Sequence, residues 1–158
     1  MKELTQNRKT RYTQMALRDS LMELMREKPI SKITIKELCE KADINRTTFY
    51  AHYDDQYHLL RHIEEEALSW CKSMIENFSL QSDRQEMIKM LERIFDYLSQ
   101  NRNHIQVLMS EQGDIHFQKK LITMVYEQFG ISPANEDGAD LITRELHFTF
   151  AINGSIGM

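Results

Sequence analysis

Glycine and proline are nearly missing from most of this chain. Its 158 residues hold five glycines and two prolines; the first glycine is Gly113 and the one proline before it is Pro29. A sheet protein needs turn residues at intervals of about 8–12 residues, and the stretch before Gly113 does not supply them. The sequence therefore predicts an all-α fold. The same scarcity leaves no room for a Walker loop or a dinucleotide-binding fingerprint. Composition agrees with a globular chain: 41% of residues are hydrophobic and 28% charged, which separates it from disordered sequences. No apolar run approaches membrane-spanning length, and no membrane partner is expected. The length suits one domain or two small ones.

Cys39 and Cys71 lie far apart and outside any CxxC pair, so free thiols in a reducing cytoplasm are expected. The first residues carry no apolar core of a signal peptide. Neither a cofactor nor a metal is expected. His58 and His62 are spaced i, i+4, but solvated histidines have the same spacing and no third ligand is fixed. No nucleophile–base pair stands in a suitable turn, so catalysis has no support.

Apolar periodicity places a first helix at about 9–27, with Leu17, Leu21, Leu24 and Met25 on one face. Pro29 ends it. Thr34-Ile35-Lys36-Glu37 reads as a capping box, with Ile33 and Leu38 as its hydrophobic staple. This second helix ends near Ala42-Asp43. Asn45 caps a third at about 46–53, in which Phe49 faces inward. Two short helices joined by Asp43-Ile44-Asn45 must cross steeply, as in a helix-turn-helix. Asp54 and Asp55 open a long fourth helix reaching Phe78, with Leu59, Ile63, Ala67 and Trp70 inward. Glu64-Glu65-Glu66 reads as a solvated face. Further helices follow at about 84–101 (Ile88, Leu91, Phe95, Leu98), 104–111, 115–129 and from 139, with loops at 79–83 and 130–138.

Charge divides the chain. Residues 1–53 hold eleven Lys and Arg against seven Asp and Glu, a net of +4; residues 54–158 hold nine against seventeen, a net of −8. The third helix leaves Arg46, Thr47, Thr48, Tyr50 and His52 outside. Small and polar groups on a short helix suit entry into a major groove. Arg46 can pair with guanine or phosphate, the threonines with bases or backbone, and Tyr50 and His52 with phosphate. Capped helix N-termini offer N–H groups to phosphate. A solvated hairpin in an ordinary bundle has the same spacing; the basic arm of Arg8, Lys9 and Arg11 favours DNA.

Ile33-Thr34-Ile35-Lys36-Glu37-Leu38-Cys39-Glu40-Lys41-Ala42 and Thr48-Phe49-Tyr50-Ala51-His52-Tyr53, followed by Leu59-Leu60, resemble the DNA-binding domain of the TetR/AcrR family of bacterial transcriptional regulators. The resemblance spans 8–63. It implies a helix-turn-helix domain at 1–53 (motif 34–53), joined by the fourth helix to an effector-binding and dimerisation body at 54–158. It implies a ligand-responsive homodimer, most simply a repressor, on double-stranded DNA with a palindromic operator. The contacts carried over are Thr34, Lys36, Asn45, Arg46, Thr47, Thr48, Tyr50, His52, Tyr53 and Gln56. Two positions depart from the family pattern. Asp43 stands where the turn usually has Gly, and tolerates left-handed backbone. Asp54-Asp55-Gln56 stands where a lysine often meets phosphate.

Residues beyond Tyr57 are acidic and rich in Met and aromatics. An ordinary core and a plastic pocket share that pattern; the resemblance favours a pocket for a small-molecule or protein effector, lined by Trp70, Met74, Phe95, Met109, Phe117 and Met124. The final segment carries apolar residues on two sides, Ile142, Leu146 and Phe150 against Leu141, Phe148 and Ile152, as for a helix that packs inward and on a partner. It is expected to be about one helix short of the usual dimer interface, through truncation or a different dimer. The short body resembles the subgroup of dihydroxyacetone-kinase operon regulators. A helical interaction module, or a co-regulator-dependent activator with a weakened DNA-binding domain, is the other reading.

Overall fold

The computed structural model describes residues 2–76 and 84–128. All of the regular structure there is helical: α1 (Lys2–Glu27), a 3-10 turn (Ile30–Lys32), α2 (Ile35–Ala42), α3 (Arg46–Tyr50), α4 (Gln56–Glu76), α5 (Arg84–Gln100), α6 (Arg102–Leu108) and α7 (Ile115–Gln128). The all-α expectation holds. The first helix starts at Lys2 instead of near Lys9, and α3 stops at Tyr50, the backbone tightening into a turn over 51–52. The expected end of the fourth helix at Phe78, the loops at 79–83 and 130–138 and the final two-faced helix lie outside the described residues. The chain divides into two compact units, Met1–Gln118 and Lys119–Met158. Of the second, residues 119–128 form the last turns of α7.

In the first unit, α1 packs against α2, α4 and α6. Its i, i+4, i+7, i+8 row does what the spacing predicts: Leu17, Leu21, Leu24 and Met25 are buried, with Met22 beside them. Leu38 from α2, Phe49 from α3, and Leu59 and Ile63 from α4 are buried too. Each such side chain contributes about 1.5–3 kcal/mol on leaving water, so the short helices α2 and α3 are held by packing and not by length. Lys41 Nζ lies 2.7 Å from Glu23 Oε2, and Lys28 Nζ lies 2.5 Å from Glu37 Oε1. At the surface, these pairs orient α2 on α1 more than they stabilise it.

Two expectations are corrected here. The apolar row of α5 is not covered by the described residues: Ile88, Leu91 and Leu98 are exposed, and Phe95 is 67% exposed. Periodicity marks a face but cannot supply its partner; α5 packs on the short α6 and, through Tyr97, on Trp70 of α4. The acidic triplet is not uniformly solvated either. Glu65 and Glu66 are exposed, whereas Glu64 is only 7% exposed. It occupies the buried row Leu60–Glu64–Leu68, at i, i+4 and i+8 of α4. Its Oε1 has no hydrogen-bond partner among the described residues. Desolvation, then the charge of Asp114, push its carboxyl up to about 7; Arg61 opposes the shift.

A carboxyl raised in the folded state stabilises while protonated. Stability is therefore fully held below about 4.5 and declines as pH rises through about 7. Glu64→Gln is expected to flatten that decline and to gain on the order of 1 kcal/mol at pH 8. Urea unfolding of both proteins at pH 5 and pH 8 measures it; parallel pH dependences would mean that Glu64 ionises freely.

Candidate nucleic-acid interface

The joint between α2 and α3 is built from backbone hydrogen bonds. Asp43 has φ 53° and ψ 43°, the left-handed region. Among the described residues it is the one non-glycine with positive φ. The Asp43 N–H donates to the Glu40 carbonyl at 3.3 Å, and the Ile44 N–H to the Cys39 carbonyl at 3.0 Å. This is the paired closure of a Schellman ending, which satisfies carbonyls that the helix leaves free. Asp takes the place of the usual glycine because its short side chain tolerates this backbone.

Both caps read from the sequence are present. Thr34 Oγ1 accepts from the Glu37 N–H at 3.2 Å, and Asn45 Oδ1 accepts from the Thr47 N–H at 2.8 Å. The capping box is half formed: the Glu37 carboxylate takes Lys28 Nζ instead of reaching back to Thr34. A full cation outbids a backbone N–H for a carboxylate, and Lys28 holds the Glu37 carboxyl below its ordinary value. Beyond Tyr50, the His52 and Tyr53 N–H groups both donate to the Phe49 carbonyl at 2.9 Å. Phe49 itself is fully buried, with Tyr50 edge-on at 5.5 Å.

This anchoring turns the opposite side of α3 outward. Arg46, Thr47 and Asn45 are exposed, Tyr50 is 57% exposed, and Thr48 and His52 are half-buried. Thr34 and Lys36 are exposed on α2, and Gln56 is half-buried at the start of α4. A groove of about 600 Å³ between α2 and α3 has Lys36, Asn45 and Arg46 on its walls, with Glu40 and Asp43. Lys36 lies 3.8 Å from Glu40, a loose surface pair that leaves its charge available.

Tyr53 stands apart from that set. It is 4% exposed, so its ring is core and not a free phosphate donor. Burial pushes its hydroxyl up. Phe49 lies 5.9 Å away, and His58 and His62 each meet the ring edge-on at 5.8 Å. The two histidines thus brace Tyr53. Each also faces a carboxylate one turn away: His58 Nδ1 is 3.0 Å from Asp54 Oδ2, and His62 Nδ1 is 3.6 Å from Glu66 Oε1. Among the described residues, no three His, Cys, Asp or Glu side chains form a metal-binding group. Asp55 Oδ1 accepts from the His58 N–H at 2.6 Å. Asp55, one of the two carboxylates at this junction, thus caps α4.

Side chains of the expected effector set differ in exposure. Trp70 stacks on Tyr97 of α5, with centroids 3.6 Å apart and planes 9° from parallel. Met74 and Met109 are half-buried, Phe117 is buried, and Phe95 faces outward. Met124 belongs to the second unit. Three clefts formed by described residues are lined by other side chains. Cys39 and Cys71 have thiols pushed up by burial, which disfavours the thiolate form.

Comparison with known proteins adds two findings. Residues 85–158 match the family model TetR_C_8, a transcriptional regulator C-terminal region. The chain is also 26% identical over 107 residues to the uncharacterized HTH-type transcriptional regulator YxbF of Bacillus subtilis (strain 168). That alignment covers 63% of this chain and spans 27% of the relative's length.

Asp43 offers a direct check on the turn. Asp43→Gly is expected to keep the fold and raise stability by up to about 1 kcal/mol, and Asp43→Val to lower it by about 1–2 kcal/mol. Chemical denaturation monitored by circular dichroism compares them; a destabilised glycine variant would mean that the Asp side chain carries the turn.

Proposed function

We propose that the chain is a transcriptional regulator of the TetR family, a DNA-binding repressor released from its operator by an effector. The carrying observation is the outward polar surface of α3, fixed by the buried Phe49 and the left-handed Asp43. Thr34, Lys36, Asn45, Arg46, Thr47, Thr48, Tyr50, His52 and Gln56 are the contacts in this reading. Arg46 and the threonines meet base edges or backbone, and the remainder hold phosphate and so set the register. Tyr53 supports them from beneath.

One short recognition helix reads one half-site, so a homodimer on a palindrome completes the mechanism. No catalytic step is part of it, and the cytoplasm is its place of action. Residues 1–53 serve as the head and 54–158 as the effector-binding and dimerisation body, with Trp70, Met74, Phe95, Met109, Phe117 and Met124 as effector contacts. The 21 residues of α4 make a lever about 31 Å long. Along it lie the brace around Tyr53, at His58 and His62, and the stack of Trp70 on Tyr97. An effector that moves this lever changes the separation of two heads that must match about 34–36 Å of DNA. The uncovered row of α5 and the exposed Asp54 favour a second reading, a protein-interaction module or co-regulator-dependent activator with a weakened head.

Binding of a dimeric preparation to DNA upstream of its own gene, across several salt concentrations, separates these readings. Sequence-preferring, salt-dependent binding is expected; its absence supports the interaction module. Arg46→Ala is expected to weaken operator binding by about 1–3 kcal/mol, and Tyr50→Phe by less, with helical content unchanged. Normal binding by both variants would remove α3 from the interface.

A further inference from the structure

We propose that a cleft between α1 and α4 binds a small organic anion. It has a volume of about 490 Å³, and Arg8, Arg11 and Arg18 bring three guanidinium groups to it. Positions 8, 11, 15 and 18 fall on one helical face, so α1 supplies the whole row. The sequence groups Arg8 and Arg11 with Lys9 as a basic arm, but Lys9 is not among the lining residues.

The cleft is positively charged in use as well as in count. Its one carboxylate, Glu66, is already engaged by Arg18 Nη2 and by His62. Arg8 and Arg11 have no ion-pair partner among the described residues. Arg18 Nε is buried and has no hydrogen-bond partner there either. Guanidinium groups grip carboxylate or phosphate with two parallel hydrogen bonds.

Besides Gln14 and His62, the remaining walls are aromatic and apolar. Tyr53 lies deep in the cleft, and Tyr12 and Met15 are exposed along it. Flat apolar walls beneath guanidinium groups suit a ligand with an aromatic body and a carboxylate or phosphate group. The depth of Tyr53 separates this site from the DNA-facing surface, since the smooth backbone of a duplex does not reach a recessed floor. The proposal does not rest on the repressor reading and is tested without an operator.

The full chain is titrated with phthalate, with phenyl phosphate and with neutral phthalamide, following the Tyr12 and Tyr53 ring resonances by NMR. Saturable binding of at least one anion is expected in the millimolar range or tighter, and none of phthalamide; comparison of the two anions tells carboxylate from phosphate. The double variant Arg8→Ala, Arg11→Ala removes two exposed side chains. It is expected to keep its circular dichroism and lose about tenfold in affinity, whereas Arg93→Ala on α5 binds as the parent does. No saturation by either anion, equal binding of phthalamide, or equal affinity in the double variant overturns the proposal. So does a double variant that binds the anions normally but shows a salt slope for random duplex smaller by about 2, because the arginines then serve DNA phosphate.

Discussion

The left-handed backbone at Asp43 is the constraint on which the rest depends. Without it α2 runs on, and α3 never crosses it. The crossing carries Phe49 into the core, and so points Arg46, Thr47 and Tyr50 outward. A helix of five residues has no stability of its own. It exists because one turn closes it on α2, one aromatic ring buries it, and Asn45 satisfies its first N–H. The polar surface is thus the far side of a packing decision made by Phe49.

The α4 helix links this arrangement to everything after it. Its first turn is capped by Asp55 and clasps Tyr53 between His58 and His62. Its later turns carry Trp70 against Tyr97. Between them sits Glu64, a carboxyl kept from water, with one oxygen that has no partner among the described residues. Side chains at both ends are fixed by aromatic contacts, so a displacement at one end has little slack in which to dissipate. The His104–Asp19 pair, at 2.9 Å, adds a second tie, from α6 to α1.

Charge is distributed to match. The net −4 of the chain is the sum of +4 over residues 1–53 and −8 over the remainder. In the proposed reading, phosphate would repel the acidic remainder and so turn the basic part toward a duplex. Within the basic part the charges have separate uses. Lys28 and Lys41 pair with Glu37 and Glu23 to seat α2, Lys36 and Arg46 flank the groove outside it, and Arg8, Arg11 and Arg18 converge on the cleft beside α4.

Local features were legible in the sequence because their causes lie within a few residues. The scarcity of turn residues set the helical class. Thr34 and Asn45 marked the caps, Asp43 the left-handed turn, and the spacing of Leu17, Leu21 and Met25 the buried face of α1. Features that need a distant partner were not legible. Lys28 drew Glu37 away from its own helix end, a packed row took Glu64 inward from an acidic run, and the rings of Phe49, His52, His58 and His62 gathered around Tyr53. Leu60 and Leu68, four residues to either side of Glu64, were the signal for its burial; for the uncovered face of α5 no sequence signal existed. Sequence alone marked the caps at Thr34 and Asn45 and the turn at Asp43, because hydrogen bonding and backbone sterics act over one or two turns, whereas α1 starts earlier and α3 stops sooner than the spacing predicts. Only the tertiary structure decided which faces meet and which charges converge, because burial and pairing depend on groups brought together from distant parts of the chain.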